Sequence, residues 1–249
     1  GYTKDPRVII SHPQVFKKTE YYLSLISHED YVKVNDVYVN EDKEVFFVGK
    51  TKDSSGNEVA FLSKFSNTGL KEWEETLEST DGEEYTEFLK LDVDGNNIWI
   101  VGENKPNSAL LSDYNPDIIL VKYVQADNQL SASLSFQKAY GGISGATRAD
   151  RVTEIKKYSD TRYIIAGYTN TNSANPYDAF IASVDSTGGL AAKRKLTTTS
   201  GSEKITSMLV HNEAVYFTME VATSQSEGDV DLVVGKVSIG TSVISVDWL

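Results

Sequence analysis

Three histidines, His12, His28 and His211, are the first residues to weigh for metal or acid–base chemistry. None stands in a His-x-x-His or His-Glu-x-x-His spacing, which would set two imidazoles on one helical face. His12 precedes Pro13 at a strand end and His211 falls in a hairpin turn, so exposed turn or edge positions are expected. No Gly-x-Ser-x-Gly elbow accompanies them to build a nucleophile. No glycine-rich loop runs into Lys-Ser/Thr to cradle phosphate. Gly141-Gly142-Ile143-Ser144-Gly145 joins two strand-like runs without a following helix and reads as a connecting turn. Asp92-Val93-Asp94-Gly95-Asn96 alternates hard oxygen ligands as a calcium loop does. The nearest acid for the closing bidentate position is Glu103, beyond a strand, so a hairpin turn is the expectation.

Asp117, Asp178 and Asp231 recur at the start of equivalent strands, the first two after an Asn-Pro element. Such a repeated acid either rings one face of the molecule and attracts cations, or caps the amides of the preceding turn. The cap is preferred, because a repeat imposes repeated structural residues. Aromatics make up 10% of the chain, with 14 tyrosines. Trp99 and Tyr163 sit in apolar strand runs and read as packing. Tyr2, Tyr114, Tyr168 and Tyr177 fall in expected loops and are the candidates for stacking on a sugar. No residue is assigned a catalytic, cofactor-binding or metal-ligating role, and no cofactor is expected.

Composition narrows the classes further. In 249 residues, 24 Lys+Arg stand against 36 Asp+Glu, a formal net charge of −12. That acidic balance excludes nucleic acid as the main partner and favours basic partners or divalent cations. With 40% hydrophobic residues there is ample core, and with no cysteine there is no disulfide, thiolate nucleophile or cysteine-held zinc. No run approaches the roughly 20 apolar residues of a membrane helix. Lack of cysteine fits a cytosolic protein and also many bacterial and protist surface proteins. No signal-peptide pattern opens the chain at Gly1, which reads as a processed product or part of something longer.

The elements that must position these residues come from an internal repeat. Val45-Phe46-Phe47-Val48-Gly49-Lys50-Thr51 is echoed by Ile98-Trp99-Ile100-Val101-Gly102-Glu103-Asn104, Tyr163-Ile164-Ile165-Ala166-Gly167-Tyr168-Thr169 and Ala214-Val215-Tyr216-Phe217-Thr218-Met219-Glu220. Each copy has a strand ahead of it: Val32–Val39, Phe88–Val93, Val152–Tyr158 and Ile205–Val210. Each is followed by a nearly continuous apolar strand, Val59–Phe65, Asp117–Tyr123, Asp178–Val184 and Asp231–Val237, as expected for burial on both faces. A more amphipathic strand closes the unit: Trp73–Leu77, Leu130–Phe136, Leu190–Leu196 and Val243–Leu249. Helical periodicity never persists beyond a turn or so.

Four antiparallel strands per unit of about 48 to 65 residues are the signature of β-propeller blades. One twisted sheet cannot hide both faces from water, so it stacks on copies of itself. The expectation is an all-β propeller in a single domain or a fragment of one. Residues 1–30 form a half blade, and blades span residues 31–79, 80–141, 142–200 and 201–249. The half blade admits three explanations: a fragment of a propeller of six to eight blades, a five-unit ring, or strands lent by another molecule.

The units resemble the bacterial β-propeller repeat family called SBBP. Ile164-Ile165-Ala166-Gly167-Tyr168-Thr169 and Asp178-Ala179-Phe180-Ile181-Ala182 carry the resemblance, with Asp94-Gly95-Asn96 matching the family's turn. Met219, where glycine is missing, and the long loop from Asn104 to Asn115 depart from it. The resemblance implies a repeat architecture, mostly in secreted or cell-surface proteins, with no shared active site. The expected function is therefore a non-catalytic structural or interaction module that binds a protein partner or copies of itself. The alternative is a carbohydrate-binding or glycoside-processing propeller, which needs paired carboxylates about 5 or 6.5–9.5 Å apart.

Overall fold

In the computed structural model, the described residues are 32–78, 83–106, 117–126, 130–140, 150–169, 177–196, 202–222 and 230–248. The half blade expected over residues 1–30, with His12, His28 and Tyr2, lies outside them, as do Tyr114 and Gly141–Gly145. The described chain is sixteen strands and no helix. Blade 1 holds β1 (Val32–Val39), β2 (Val45–Lys52), β3 (Glu58–Phe65) and β4 (Lys71–Leu77). Blade 2 holds β5 (Glu83–Asp94), β6 (Asn97–Pro106), β7 (Asp117–Gln125) and β8 (Ala132–Tyr140). Blade 3 holds β9 (Asp150–Ser159), β10 (Arg162–Thr169), β11 (Asp178–Asp185) and β12 (Leu190–Leu196). Blade 4 holds β13 (Ser202–His211), β14 (Ala214–Ala222), β15 (Val230–Ile239) and β16 (Ile244–Trp248). Within each blade the strands pair antiparallel in chain order.

The burial pattern follows strand position. The middle strands β3 and β11 are buried at seven of eight positions, whereas the closing strand β12 has four exposed among seven. The first strands β1, β5, β9 and β13 pack on one another in succession and form the hub side of the propeller. No comparable packing joins β13 to β1 among the described residues. A sheet face that meets the following blade is here called leading, and the opposite one trailing. The leading residues Phe46, Val48, Ala60 and Leu62 of blade 1 pack against Phe88, Leu91, Ile100 and Ile119 of blade 2. Blade 2 repeats this with Trp99, Val101, Ile118 and Leu120 against Val152, Ile155, Ile165 and Phe180 of blade 3. Blade 3 does so with Ile164, Ala166, Ala179 and Ile181 against Met208, Phe217 and Met219 of blade 4.

The recurrent glycine marks a crowded crossing. Every first strand carries a one-residue bulge, at Asn35, Leu89, Thr153 and Thr206, beside the pair that contains the glycine or Met219. The bulge drives the first strand's backbone against the second. A Cβ on Gly49 or Gly167 would lie 1.9 Å from the carbonyl oxygen of Lys33 or Arg151, and one on Gly102 2.2 Å from that of Glu87. Met219 keeps the same register opposite Ile205 and fills the core between blades 3 and 4.

His211 is exposed and ends β13, as expected of a turn position. The two-residue hairpin Asn212-Glu213 that follows it holds both residues at positive φ, 49° and 57°. That is the sign pattern of a type I′ turn, which favours glycine at the second place. Glu213→Gly is expected to raise stability by about 1 kcal/mol, read as a higher urea midpoint at unchanged slope.

Candidate functional site at the hub

Among the described residues, a concentration of ionisable groups lies where the bulged first strands meet their neighbours. Two repeat positions supply it: the residue after the recurrent glycine, and the first-strand residue paired beside it. These are Lys50 and Lys33 in blade 1, Glu103 and Glu87 in blade 2, Tyr168 and Arg151 in blade 3, and Glu220 and Lys204 in blade 4. At each joint the leading-face member meets the first-strand member of the following blade. Lys50 reaches Glu87 at 3.7 Å. Glu103 is bonded to the Arg151 guanidinium. Lys204 stands 5.3 Å over the ring of Tyr168 and 4.2 Å over that of Tyr177. Partners of opposite sign, or a cation on a ring, therefore close all three joints.

Glu87 is held most tightly. Lys33 donates to it at 2.6 Å and Asn35, from the bulge of blade 1, at 2.8 Å. The Asn35 amide also reaches the Phe88 carbonyl at 2.6 Å. Burial works to raise the Glu87 carboxyl, but the Lys33 and Asn35 hydrogen bonds and the charges of Lys33 and Lys50 hold it below its usual range. Glu103 faces it directly across the β5–β6 pair. Burial pushes Glu103 up to about 7, with Arg151 pulling it down and the Glu87 charge pushing it up. Two carboxylates opposite one another on a sheet have Cβ atoms about 5 Å apart. Their titrations are driven apart by environment, as in an acid–base pair. Both are nearly buried and both already engage cations from neighbouring blades. The arrangement is an electrostatic clamp on either side of blade 2.

Further along the hub, first strands are tied by backbone bonds to carboxylates. Asp36 accepts the Leu91 amide at 3.1 Å, and Asp92 accepts that of Lys157 at 2.6 Å. Asp94 pairs with the Lys157 ammonium at 2.8 Å. The two aspartates of the suspected calcium loop thus both hold blade 3. Glu103 lies six residues up β6 from Asn97, about 20 Å away at strand rise. Asp94-Gly95-Asn96-Asn97 is a tight hairpin turn, as expected.

The repeated acids do not share one environment. Asp178 is buried and ion-paired with Lys195 at 2.5 Å, while Asp117 and Asp231 are exposed. The turns they were expected to cap lie outside the described residues. Among the tyrosines, Tyr168 is not in a loop: it is a strand residue of β10, half-buried, and its ring meets Tyr177 edge-on at 5.1 Å. Both rings face the Lys204 ammonium, which occupies the surface a sugar would use. Trp99 and Tyr163 stack at 4.1 Å across the joint between blades 2 and 3, as packing residues should. Lys64 had no place in the sequence reading. It is fully buried between Glu44 and Glu72, at 2.7 and 2.9 Å, and ties the outer strand of blade 1 to the residue that precedes its second.

The chain matches no protein-family model and no curated protein sequence. The SBBP kinship therefore has no family match behind it, and what stands is the propeller architecture. Solved structures similar to the chain include the β-propeller domain of the Trilobed protease from Pyrococcus furiosus, at 9% identity and TM-score 0.47, with 86% of this chain and 57% of that one covered. An endo-arabinase from Bacteroides thetaiotaomicron is similar at 14% identity and TM-score 0.46, over 89% and 82%. The Bombyx mori GH32 beta-fructofuranosidase BmSUC1 is similar at 10% and TM-score 0.47, over 86% of this chain and 49% of its own. The chain thus spans about half the length of the last. At these values the activities belong to those proteins alone, and the propeller rests on the sheets and joints described above.

Proposed function

We propose that this chain is a non-catalytic β-propeller module that binds a protein partner or another copy of itself, in a secreted or cell-surface setting of the SBBP type. One observation carries the reading. Leu232 and Val234 of blade 4 are 69% and 50% exposed, whereas their counterparts Ala60, Ile118 and Ala179, and Leu62, Leu120 and Ile181, are all 0% exposed. Fully burying a Leu or Val side chain contributes roughly 1.5–3 kcal/mol, so an open face of this kind favours a covering surface. The clamp at the hub supports the same reading, because its carboxylates are committed to neighbouring blades.

A glycoside-processing propeller is the second reading, favoured only by the facing positions and split titration of Glu87 and Glu103. A panel of glycans separates the two. No hydrolysis is expected. Turnover abolished by Glu87→Gln or Glu103→Gln, in variants that melt like the parent, overturns the module reading.

A further inference from the structure

We infer that the leading face of blade 4 seats a second copy of this chain, face to face, about a two-fold axis that lies in the interface and crosses the strands at the level of Thr218 and Val234. The inference rests on the module reading above and names its partner. Val230, Leu232 and Val234 form an apolar row along β15, extended by Tyr216 and Trp248 on the flanking strands and by Leu209 beyond Tyr216 on β13. The charges around this row choose the occupant. At the three closed joints, the residue in Glu220's position meets a charge or cation on the covering blade: Lys50 on Glu87, Glu103 on Arg151, and Tyr168 under Lys204. Glu220 is exposed on the one leading face left open among the described residues, so its cover should bring a cation.

The same face holds that cation in Lys236, which within the chain stands 3.4 Å from Asp247 on β16. Thr218 pairs with Val234 in register; Glu220 lies two residues to one side on β14, and Lys236 lies opposite Tyr216, two residues to the other. A two-fold axis lying in the interface across the strands sets Glu220 of each copy over Tyr216 and Lys236 of the other. It also sets Val234 on Val234 and Leu232 against the apolar stem of Lys236. Two identical charge pairs thus flank one apolar centre, the self-complementarity that an isologous dimer requires. A head-to-tail contact would instead need the trailing face of blade 1, whose Phe47, Phe61 and Phe65 are already buried.

Sedimentation of the full chain tests this. The parent is expected to dimerise, and Leu232→Lys to be monomeric with an unchanged melt, since the residue is exposed. Glu220→Lys and Lys236→Glu should each weaken dimerisation about tenfold or more, and the double swap should restore most of the loss. A parent that stays monomeric, a dimer indifferent to Leu232→Lys, or a double swap no better than either single change overturns the inference. A monomeric parent that still binds a different purified protein through this face sinks the second copy and leaves the module reading intact. Glycan hydrolysis strikes that reading instead.

Discussion

Gly167→Ala is expected to lower the stability of the chain by more than about 3 kcal/mol, read as a fall in the urea midpoint. The added methyl would sit 1.9 Å from the Arg151 carbonyl oxygen and 3.0 Å from the Phe180 ring. The first of these is backbone, so relief requires that β9 and β10 separate where the bulge at Thr153 draws them together. Arg151 would move with its strand and withdraw from Glu103, loosening the joint with blade 2. Gly56→Ala provides the comparison. Gly56 has a positive φ of 87° but no atom within 4 Å of its added Cβ, so only conformational strain of roughly 1 kcal/mol is expected. Equal losses at the two sites would show that the crossing is not the constraint described.

The pH dependence of stability is expected to carry the mark of Glu103. Its carboxyl sits near 7 in the folded chain against an ordinary 4.5, so the folded form holds a proton that the unfolded form has released. The stability this contributes is fully present below about pH 4.5 and is lost as pH rises through 7, an effect on the order of 3 kcal/mol. Burial is the main cause, with Glu87 adding to it, while Arg151 and Lys33 oppose it and Tyr168 faces the same cluster. Glu103→Gln should therefore flatten the melting temperature between pH 5 and 8. Arg151→Met should steepen its fall, because the charged carboxylate then loses its counter-ion in a buried place. Asp92 and Glu154, also raised mainly by burial, keep their own contributions in both variants. A Glu103→Gln profile parallel to the parent's would contradict this account of the clamp.

The strand plan was largely legible because β-branched and aromatic runs are bounded by polar turns. Val32–Val39 and Leu190–Leu196 have the ends the sequence suggests. Strand β5 begins earlier than the expected Phe88, at Glu83, because the residues ahead of Phe88 pair through the backbone with the end of β6. The hub clamp was not legible. Lys33, Glu87 and Arg151 look like ordinary solvated positions on a strand. Only the bulge, invisible to a period-of-two reading, brings them against the neighbouring blade. The trace they leave is a charged or aromatic residue directly after the recurrent glycine, inside an otherwise apolar run. Tyr168 occupies that same place, which is why it faces a lysine at a joint instead of lying in a loop. Lys64 escaped for a related reason: burial of a lysine depends on Glu44 and Glu72, which converge on it only once β2 and β4 flank β3.

Cysteine labelling tests the stacking of blades most directly, since the chain has no cysteine of its own. Single cysteines at Ala60, Ile118, Ala179 and Leu232 probe one repeat position in four successive blades. In dilute native protein, the thiol at position 232 should react with a soluble maleimide at the rate of a free thiol, and the other three only after unfolding. Reaction at all four, or protection at all four that survives dilution to the monomer, would contradict a propeller in which three leading faces are covered and the fourth is open.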